Sequence, residues 1–381
     1  MLTSTIDTYN MKRYIWLLFL SSLMIGQQLR SQSRLEYQQA IESVVTNYMD
    51  SLAIVGISVA VIKDRYPIYK NSFGYANLEH GVKMTDSSVY RIWSISKQFC
   101  AASVLQLDCA GKIDLADPIS KYLDSIPPSW KGITIKQLLN HTGGIKDYLN
   151  DYKEGEKLHS TPFEIVRDSA AVLKFPPGEN WSYTNTGYWV LTKIIETVTD
   201  QKYQDYLENQ FFIPLAMENT GKMDYFRVIK NRVSGYRSVQ GIPQNSTRYL
   251  DENHLADGDG ELISTLDELI RWALALFSGQ IIPMEQLENA WTTSKTNSGE
   301  AVNTEWIVYY DDKATYGMGW FISTLGSRKI VWTPGAGRGF STTLFSVPEE
   351  DLHIIVLSNA RRFLIADKLA KAIAAKLLDP K

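Results

Sequence analysis

A serine and a lysine three residues apart, Ser94 and Lys97, are the side chains of this sequence whose spacing points most directly to chemistry. Residues at i and i+3 share one face of a helix, so the Lys97 ammonium can reach the Ser94 hydroxyl. A serine hydroxyl is a poor nucleophile until a neighbour accepts its proton, and a lysine can do so when burial and nearby positive charge lower its pKa. Ser94, the only serine of the chain with a lysine three positions later, is predicted to be an activated nucleophile.

The apolar residues 101–107 behind this pair predict a helix that begins near the serine. Free N–H groups at a helix start, together with the positive end of the helix dipole, stabilise an oxyanion that forms there. Nucleophile, base and part of an oxyanion hole would then lie within one turn. Roughly one S-x-x-K is also expected by chance in a chain of this length, so the pattern needs support from elsewhere.

A second polar pair, Tyr183 and Asn185, follows a tight loop at residues 175–180 that contains two prolines and a glycine. Side chains two residues apart point the same way in an extended segment. A tyrosine near an ammonium group can accept a proton, and an asparagine offers a donor and an acceptor to a substrate amide. Taken alone, Tyr183 is more simply interpreted as a loop aromatic and Asn185 as a helix cap.

The composition is that of an ordinary globular protein, with 381 residues, 44% hydrophobic and 21% charged. A net charge of -3 gives no reason to expect nucleic acid or an anionic membrane surface as a partner. The five histidines lack metal-ligand spacing, and His141 and His353 are interpreted as structural. We expect no metal and no organic cofactor, and we interpret Asp257, Asp259 and Glu261 as part of a turn that lines the site rather than as calcium ligands.

The N-terminal segment predicts export. Residues 11–13 include two basic side chains, and residues 14–26 form an apolar run too short to span a bilayer comfortably. We interpret residues 1–33 as a secretory signal cleaved near Gly26 or just after it, and we expect a periplasmic or secreted protein. The alternative is an uncleaved anchor, which would be the protein's only connection to a membrane.

The two cysteines, Cys100 and Cys109, fall nine residues apart in the helix behind Ser94, on opposite faces. This separation is too large for a disulfide, and both are predicted to be small core residues. An exported chain without a disulfide depends on a sizeable core, which this length allows.

Hydrophobic periodicity predicts strands towards both ends of the chain and helices between them. The expected strands are residues 54–62, 67–73, 316–322, 329–332, 341–347 and 352–357. The expected helices, besides the one behind Ser94, are residues 34–49, 134–140, 163–173, 187–198, 203–212, 265–277 and 361–378. The predicted fold class is α+β, an antiparallel sheet flanked by helices and built from both chain ends, with a mostly helical insert. Residues 34–381 would form a single domain, with an α/β lobe (34–92 plus 315–381) and a helical lobe (93–314).

The order of these motifs resembles the serine β-lactamase and penicillin-binding-protein superfamily, in particular the branch related to class C β-lactamases. The resemblance runs from about residue 35 to the end, through S-x-x-K at Ser94, Y-x-N at Tyr183 and a glycine-rich strand near the C-terminus. Further stretches similar to the family's are residues 134–144, 177–187, 258–265 and 356–359. The branch includes D-alanyl-D-alanine carboxypeptidases, D-amino-acid peptidases and lipase-like esterases, so the resemblance implies a β-lactamase/transpeptidase-like fold.

In this family the serine is acylated, the lysine and the tyrosine exchange its proton, and the asparagine holds the substrate amide. The resemblance places these roles on Ser94, Lys97, Tyr183 and Asn185.

The third family motif, usually K-T-G or H-x-G, departs from the pattern because residues 333–336 are T-P-G-A and the basic residue is missing. The N–H groups of the nucleophile and of Ala336 would still form the oxyanion hole, with Gly335 also at the substrate. Arg338 could supply the lost charge if its side chain turns inward, and a solvated turn residue is an equal alternative. Pro334 removes a backbone donor from what we expect to be an edge strand.

We expect an exported serine hydrolase that forms an acyl-enzyme on Ser94 and cleaves a small-molecule, peptide or ester substrate, cell-wall fragments included. The missing basic residue argues against an efficient β-lactamase or a strict carboxypeptidase, since both bind a substrate carboxylate. The alternative is a non-catalytic protein that keeps the fold and binds peptidoglycan or another ligand. Five large aromatic side chains are candidates either for the pocket lining or for the core: Trp181, Trp291, Trp306, Tyr309 and Tyr310.

Overall fold

An eight-stranded antiparallel sheet forms the centre of the fold. The computed structural model describes residues 35–151, 172–224, 226–246, 257–304, 311, 313–361 and 364–379. Within these ranges the large sheet takes its strands from both ends of the chain, and the long segment between them is mostly helical. The predicted α+β class is therefore confirmed.

The strands of the large sheet fall into two groups along the chain. The first group is β1 Gly56–Lys63, β2 Tyr66–Asn77 and β3 Val82–Lys83. Five short strands follow: β4 Tyr90–Arg91, β5 Gly221–Lys222, β6 Tyr236–Val239, β7 Ile242–Asn245 and β8 Leu262–Ser264. The second group is β9 Thr315–Tyr316, β10 Phe321–Leu325, β11 Arg328–Gly337, β12 Phe340–Val347 and β13 Leu352–Ser358. The order in the sheet is β3-β2-β1-β13-β12-β11-β10-β9, so β1 and β13 join the two groups.

The helices lie on both faces of this sheet. They are α1 (residues 35–52), α2 Ser96–Cys109, α3 Ile135–Leu139, α4 Asn185–Thr199, α5 Tyr203–Leu207, α6 Leu266–Phe277, α7 Met284–Ala290 and α8 Ile365–Leu378. Helices α1 and α8 share one core with the sheet, and α2 to α7 contribute to the core on the other face.

Strand β1 shows why the sheet is covered on both faces. Val59 and Val61 belong to the core shared with α1 and α8, whereas Ala60 and Ile62 belong to the core on the helical side. Successive side chains of a strand point to opposite faces, so a continuous apolar run fits a strand that is buried on both. The buried strand predicted from residues 54–62 is thus present.

Helix α2 is the central helix of the helical side and carries the S-x-x-K lysine. Every residue from Ser96 to Leu105 is buried, as expected for a helix that is packed all round. Cys100 is buried but Cys109 is exposed, because α2 ends at the surface. The prediction that both cysteines are core residues is therefore wrong for Cys109.

The predicted helices differ from the structure mainly at their ends. The helix expected over residues 203–212 is α5 followed by a π-helical turn, Glu208–Phe212, and the closing helix begins at Ile365 rather than at residue 361. The signal segment 1–33 and residues 163–171 of another expected helix lie outside the described residues. The division into two lobes stays a prediction. No described helix is long and apolar enough to cross a bilayer.

Candidate active site

Ser94 lies on a short turn between β4 and α2. The turn is a 3₁₀ helix, Trp93–Ile95, and α2 starts at the next residue, so the candidate nucleophile precedes the α-helix. Trp93 has a φ of 50°, in the left-handed region that residues with a Cβ rarely adopt. Its ring lies against Gly337 of β11, where any Cβ would overlap the indole. The glycine therefore allows the turn that carries Ser94 to pack directly on β11.

The ammonium group of Lys97 is fully hydrogen-bonded although the residue is 0% exposed. Nζ donates to Ser94 Oγ at 3.2 Å, to Asn185 Oδ1 at 2.7 Å and to the Asp259 carbonyl at 2.6 Å. An ammonium group has three N–H donors, so these acceptors satisfy all of them. The structure thus brings the S-x-x-K pair and the asparagine of Y-x-N into one network.

Tyr183 lies beside the same lysine, with its ring centroid 4.8 Å from Lys97 Nζ. The residue between Tyr183 and Asn185, Thr184, is extended, with φ -145° and ψ 135°. Tyr183 and Asn185 therefore leave the backbone on the same side, as predicted. Thr184 holds the N-cap position of α4 and Asn185 is the first helical residue, so the alternative interpretation of Asn185 as a helix cap is wrong.

Asp147 fixes the orientation of the Asn185 side chain. Its Oδ2 accepts the Asn185 backbone N–H at 3.1 Å and an Nδ2 hydrogen at 3.0 Å. Because Oδ1 of the same amide faces Lys97, both ends of the amide are assigned by their partners. Burial raises the pKa of Asp147, and its bonds to the backbone N–H groups of Leu149 and Asn185 act against that rise.

Two buried acidic residues, Asp259 and Glu261, lie behind Lys97. Asp259 is 5% exposed, and its Oδ2 accepts the Tyr148 hydroxyl at 2.7 Å while its carbonyl accepts from Lys97. Burial raises the pKa of Asp259 to about 8, against the opposing effect of the Lys97 charge. Burial likewise raises the pKa of Glu261. The turn that contains Asp259 and Glu261 thus contacts Lys97 from the protein interior.

The glycine-rich part of β11 passes in front of the Ser94 turn. A Cβ at Gly335 would overlap the Ile92 carbonyl, so the glycine permits this close approach. Ala336 and Arg338 follow as half-buried residues at the end of the strand. Gly335 and Gly337 thus bring the backbone of β11 next to the turn that carries the candidate nucleophile, whereas the direction of the Arg338 side chain stays a prediction.

Thr333 occupies the position of the family's basic residue and is buried, 2% exposed. Its Oγ1 donates to the Gly319 carbonyl at 3.1 Å, so its hydrogen bond is internal. Strand β11 is not the edge strand that we expected, since it lies between β12 and β10. The pairing of β11 with β10 ends at Trp332. Pro334 therefore lies beyond this pairing, and its missing N–H removes no hydrogen bond between the two strands.

His141 lies inside the site as well. It is 1% exposed, has a φ of 62°, and its ring centroid is 4.3 Å from that of Tyr183. Ring Nδ1 accepts the Thr184 N–H at 3.3 Å. Burial and, secondarily, the charge of Lys97 hold the pKa of His141 well below 6.5, so the ring is neutral near pH 7.

The candidate pocket aromatics divide into three groups. Trp181 packs near Tyr183, with ring centroids 6.4 Å apart, whereas Trp291 is buried against Phe277 and belongs to the core. The others lie outside the described residues: Trp306, Tyr309 and Tyr310. In the part of the chain that the structure describes, no three His, Cys, Asp or Glu side chains form a group that could hold a metal ion.

The sequence patterns assigned no functional role to three neighbours of the site, His141, Asp147 and Tyr148. All three follow α3, and their partners near Asn185 and at Asp259 are 38 to 111 positions away in the chain. Residues 134–144 are similar to a family motif, but a motif does not tell which side chains point towards Asn185. An acidic residue and a tyrosine directly after that stretch are the only local signal.

Comparison with known proteins identifies the family. A family model described as Beta-lactamase matches residues 41–377. Penicillin-binding protein 4* from Bacillus subtilis (strain 168) is 26% identical over 309 residues, which cover 77% of this chain and 65% of that relative. The chain therefore spans just under two thirds of the length of this curated relative.

Solved structures show the same fold. The octameric penicillin-binding protein homologue from Pyrococcus abyssi superposes with a TM-score of 0.76 at 26% identity, covering 89% of this chain and 76% of that one. The D-amino acid amidase from Ochrobactrum anthropi SV3 superposes with a TM-score of 0.77 at 21% identity, covering 91% and 100%. With its family model matched over most of its length, the chain belongs to the Beta-lactamase family, within the superfamily of serine β-lactamases and penicillin-binding proteins.

Proposed function

We propose that this protein is an exported serine hydrolase that forms an acyl-enzyme on Ser94 and cleaves an ester or an amide. The observation that carries the proposal is the 3.2 Å hydrogen bond from Lys97 Nζ to Ser94 Oγ inside a buried network. Asn185 and the Asp259 carbonyl hold the lysine on its other sides, so it stays at the serine. Tyr183, beside the same ammonium, is the second proton carrier.

The reaction proceeds in two halves. Ser94 Oγ attacks the substrate carbonyl carbon, and its proton passes to whichever of Lys97 and Tyr183 is unprotonated when the substrate binds. The pair then protonates the departing oxygen or nitrogen, and the bond to the leaving group breaks. In the second half, water attacks the acyl-enzyme, the same pair takes the water's proton and returns one to Ser94 Oγ, and the acid leaves.

The N–H groups of Ser94 and Ala336 would bind the oxyanion. Pro334 lies opposite Thr343 in the continuous β11–β12 ladder and has no N–H, which suits a residue whose nitrogen faces away from β12. N–H groups two residues apart on a strand point to the same edge. The Ala336 N–H would then point to the open edge beyond β10, next to the Ser94 turn.

The strand side of the site supports a substrate without a carboxylate at this position. Thr333 offers no positive charge, and its hydroxyl is already used by the Gly319 carbonyl. The second N–H of Asn185 Nδ2 is not used by a described residue and can donate to a substrate carbonyl. The similarity to a D-amino acid amidase supports amides, and that to a penicillin-binding protein supports cell-wall fragments as a class to screen.

Export rests on the sequence of residues 11–26, with its basic start and apolar run. A periplasmic or secreted protein would meet its substrate outside the cytoplasm. Membrane attachment would require that this segment is not cleaved.

The test is intact-mass spectrometry after exposure to a fluorophosphonate and, separately, to a penicillin, together with turnover of p-nitrophenyl acetate. We expect a single adduct that maps to Ser94, and a loss of turnover on the order of 10³-fold or more in Ser94→Ala. Reaction with the fluorophosphonate alone would favour an esterase.

Ser103→Ala is the matched control, because Ser103 is a buried serine of α2 whose hydroxyl donates to the Phe99 carbonyl of its own helix. It should keep turnover within about threefold of the unchanged chain. If neither reagent gives an adduct and no ester is turned over, the hydrolase is excluded. The alternative, a non-catalytic protein that binds peptidoglycan or another ligand, would then be preferred.

A further inference from the structure

The surroundings of His141 go beyond those of a structural histidine. We propose that His141 is a positioning residue, which holds Tyr183 against the Lys97 ammonium for proton transfer. The inference rests on the proposed acyl-enzyme function, since it gives His141 a role in that reaction and not in folding alone.

His141 binds the backbone on both sides of Tyr183. Its carbonyl accepts the Ser182 N–H at 3.0 Å, and its Nδ1 accepts the Thr184 N–H at 3.3 Å. One residue thus holds both chain neighbours of the tyrosine. A hydrogen bond on only one side would let the backbone of Tyr183 rotate about that point. Two hydrogen bonds fix the backbone position from which the Tyr183 side chain extends.

The histidine ring adds a second constraint. Its centroid lies 4.3 Å from the Tyr183 centroid at an interplanar angle of 43°, and Lys97 Nζ lies 4.8 Å from the same tyrosine ring. The phenol is therefore in contact with both His141 and the lysine that bonds Ser94. A shift of about 1 Å in a reacting group can cost about 10²-fold in rate, so this packing matters for proton transfer.

His141 holds this place in an unfavourable conformation. Its φ of 62° lies in the left-handed region, which is costly for a residue with a Cβ and occurs preferentially at functional sites. Since Nδ1 accepts a hydrogen bond, the neutral ring carries its proton on Nε2, and Nε2 is buried with no hydrogen-bond partner in the described part of the chain. A phenylalanine would fill the same volume without an unsatisfied donor but would offer no acceptor to Thr184. The acceptor, more than the packing, explains a histidine here.

His353 provides a matched control, because it is also a buried histidine that packs on an aromatic ring. Its ring centroid lies 4.0 Å from that of Phe277, and its two nitrogens bond Ser346 at 3.0 Å and Asp351 at 3.1 Å. It stands on β13, with these partners on β12 and in the turn before β13. Its contacts are those of the structural residue that the sequence predicted.

Two substitutions separate the acceptor from the ring. His141→Phe keeps a ring and removes the acceptor, whereas His141→Asn keeps an acceptor near Nδ1 and tolerates the left-handed backbone. We expect His141→Phe to lower the maximal single-turnover rate of Ser94 acylation by p-nitrophenyl acetate about 10- to 100-fold. His141→Asn should stay within about fivefold, and the substrate concentration for half-maximal rate should change less than about twofold in both, because a proton carrier acts on the reacting step.

A double-mutant cycle with Tyr183→Phe tests whether His141 acts through the tyrosine. In that background His141→Phe should cost less than about threefold, because the hydroxyl that it positions is gone. His353→Phe should lower the thermal midpoint but change acylation less than about twofold in either background. Equal losses from His141→Phe in both backgrounds, or a loss below threefold in the otherwise unchanged chain, would overturn the proposal.

If His141→Phe does not fold, His141→Asn replaces it in the same cycle, with a smaller loss expected that again disappears in Tyr183→Phe. Nitrogen NMR of the histidine-labelled chain tests the hydrogen bond without any turnover. We expect a neutral His141 ring protonated on Nε2, and a proton on Nδ1 would overturn the proposal. A chain whose Ser94 is not acylated by any reagent contradicts the proposed function, and the role of His141 in that reaction falls with it. An acylated Ser94 together with a proton on Nδ1 contradicts the role of His141 alone.

Discussion

The two sides of the candidate site are built in different ways. On one side, Ser94, Lys97 and Asn185 are joined by hydrogen bonds into a buried network that continues to the Asp147 carboxylate and the Asp259 carbonyl. On the other side, β11 contributes backbone groups and glycines that allow close approach, and Thr333, at the motif position where the family usually has a basic residue, is neutral and internally bonded. One side is therefore a connected set of polar side chains, and the other is the backbone of a strand.

In the proposed reaction the two sides serve different steps: the connected side activates the nucleophile, and the strand side recognises the substrate. In the proposed reaction, proton transfer from Ser94 needs groups held within hydrogen-bond distance, and the connected side would supply them. Recognition of a carboxylate needs a positive charge at the strand, and the basic side chain usual there is replaced by Thr333. The chemistry and the specificity of this site should therefore respond to different substitutions.

Removal of Lys97 should give the largest effect, because this residue links the parts of the connected side. Lys97→Ala is expected to lower acylation of Ser94 on the order of 10³-fold, since no other described residue bonds the hydroxyl. Labelling by a fluorophosphonate, followed by intact mass over time, measures the loss.

Lys97→Met is the companion variant, since it fills most of the space of the lysine stem and removes only the ammonium. Both variants leave Asn185 Oδ1 and the Asp259 carbonyl without their donor, and each should be less stable by about 1–3 kcal/mol. Acylation at an undiminished rate in Lys97→Met would show that this lysine is not a proton carrier.

Much of this architecture could be predicted from the sequence. The apolar run of β1 indicates a strand buried on both faces, and the spacing of Ser94 and Lys97 indicates a pair that the structure joins by a hydrogen bond. The link from Lys97 to Asn185, 88 positions away, comes from the family resemblance and not from spacing. Local patterns carry such information because side-chain direction repeats with the backbone period.

The network behind the lysine was not predictable in the same way. Asp147 bonds a residue 38 positions away and Tyr148 bonds one 111 positions away. These contacts arise only when α3, α4 and the turn before β8 pack together. The burial of Thr333 and the interior position of β11 likewise depend on the strand order, which no single segment encodes.

Restoring a cation on the strand side should have an intermediate effect. Thr333→His is expected to raise kcat/KM for an ester with a carboxylate on its acyl part about tenfold relative to a neutral ester with the same leaving group. The ratio should be larger at pH 6 than at pH 8, because an imidazole of ordinary pKa is charged only at the lower pH.

Thr333→Val is the control for this change, since it removes the bond to the Gly319 carbonyl without adding charge. Thr333→Val should lower stability and leave the ratio of kcat/KM between the carboxylate ester and the neutral ester unchanged. A ratio in Thr333→His that is the same as in Thr333→Val at pH 6 would show that the missing base does not limit carboxylate substrates.

A substitution behind the lysine should affect activity least and stability in a pH-dependent way. Burial raises the pKa of Asp259 from 3.8 to about 8, so the folded chain holds a proton there that the unfolded chain has lost between about pH 4 and pH 8. The contribution of this carboxyl to stability therefore falls as the pH rises through that window. Asp259→Asn removes the ionisation. Its free energy of unfolding, relative to that of the unchanged chain, should therefore rise by at most about 1.4 kcal/mol per pH unit across the window.

Denaturant unfolding at pH 5 and pH 8 measures this gain in stability for Asp259→Asn. Acylation should fall less than about tenfold, because Lys97 bonds the backbone carbonyl, which any residue retains.

Asp367→Asn is the matched control in α8, since burial raises the pKa of that carboxyl to about 7. It should show a similar dependence of stability on pH with no change in acylation, because Asp367 lies in the core between the sheet and α8. An equal difference in stability between Asp259→Asn and the unchanged chain at the two pH values would mean that Asp259 ionises normally, and that the connected side carries a buried negative charge.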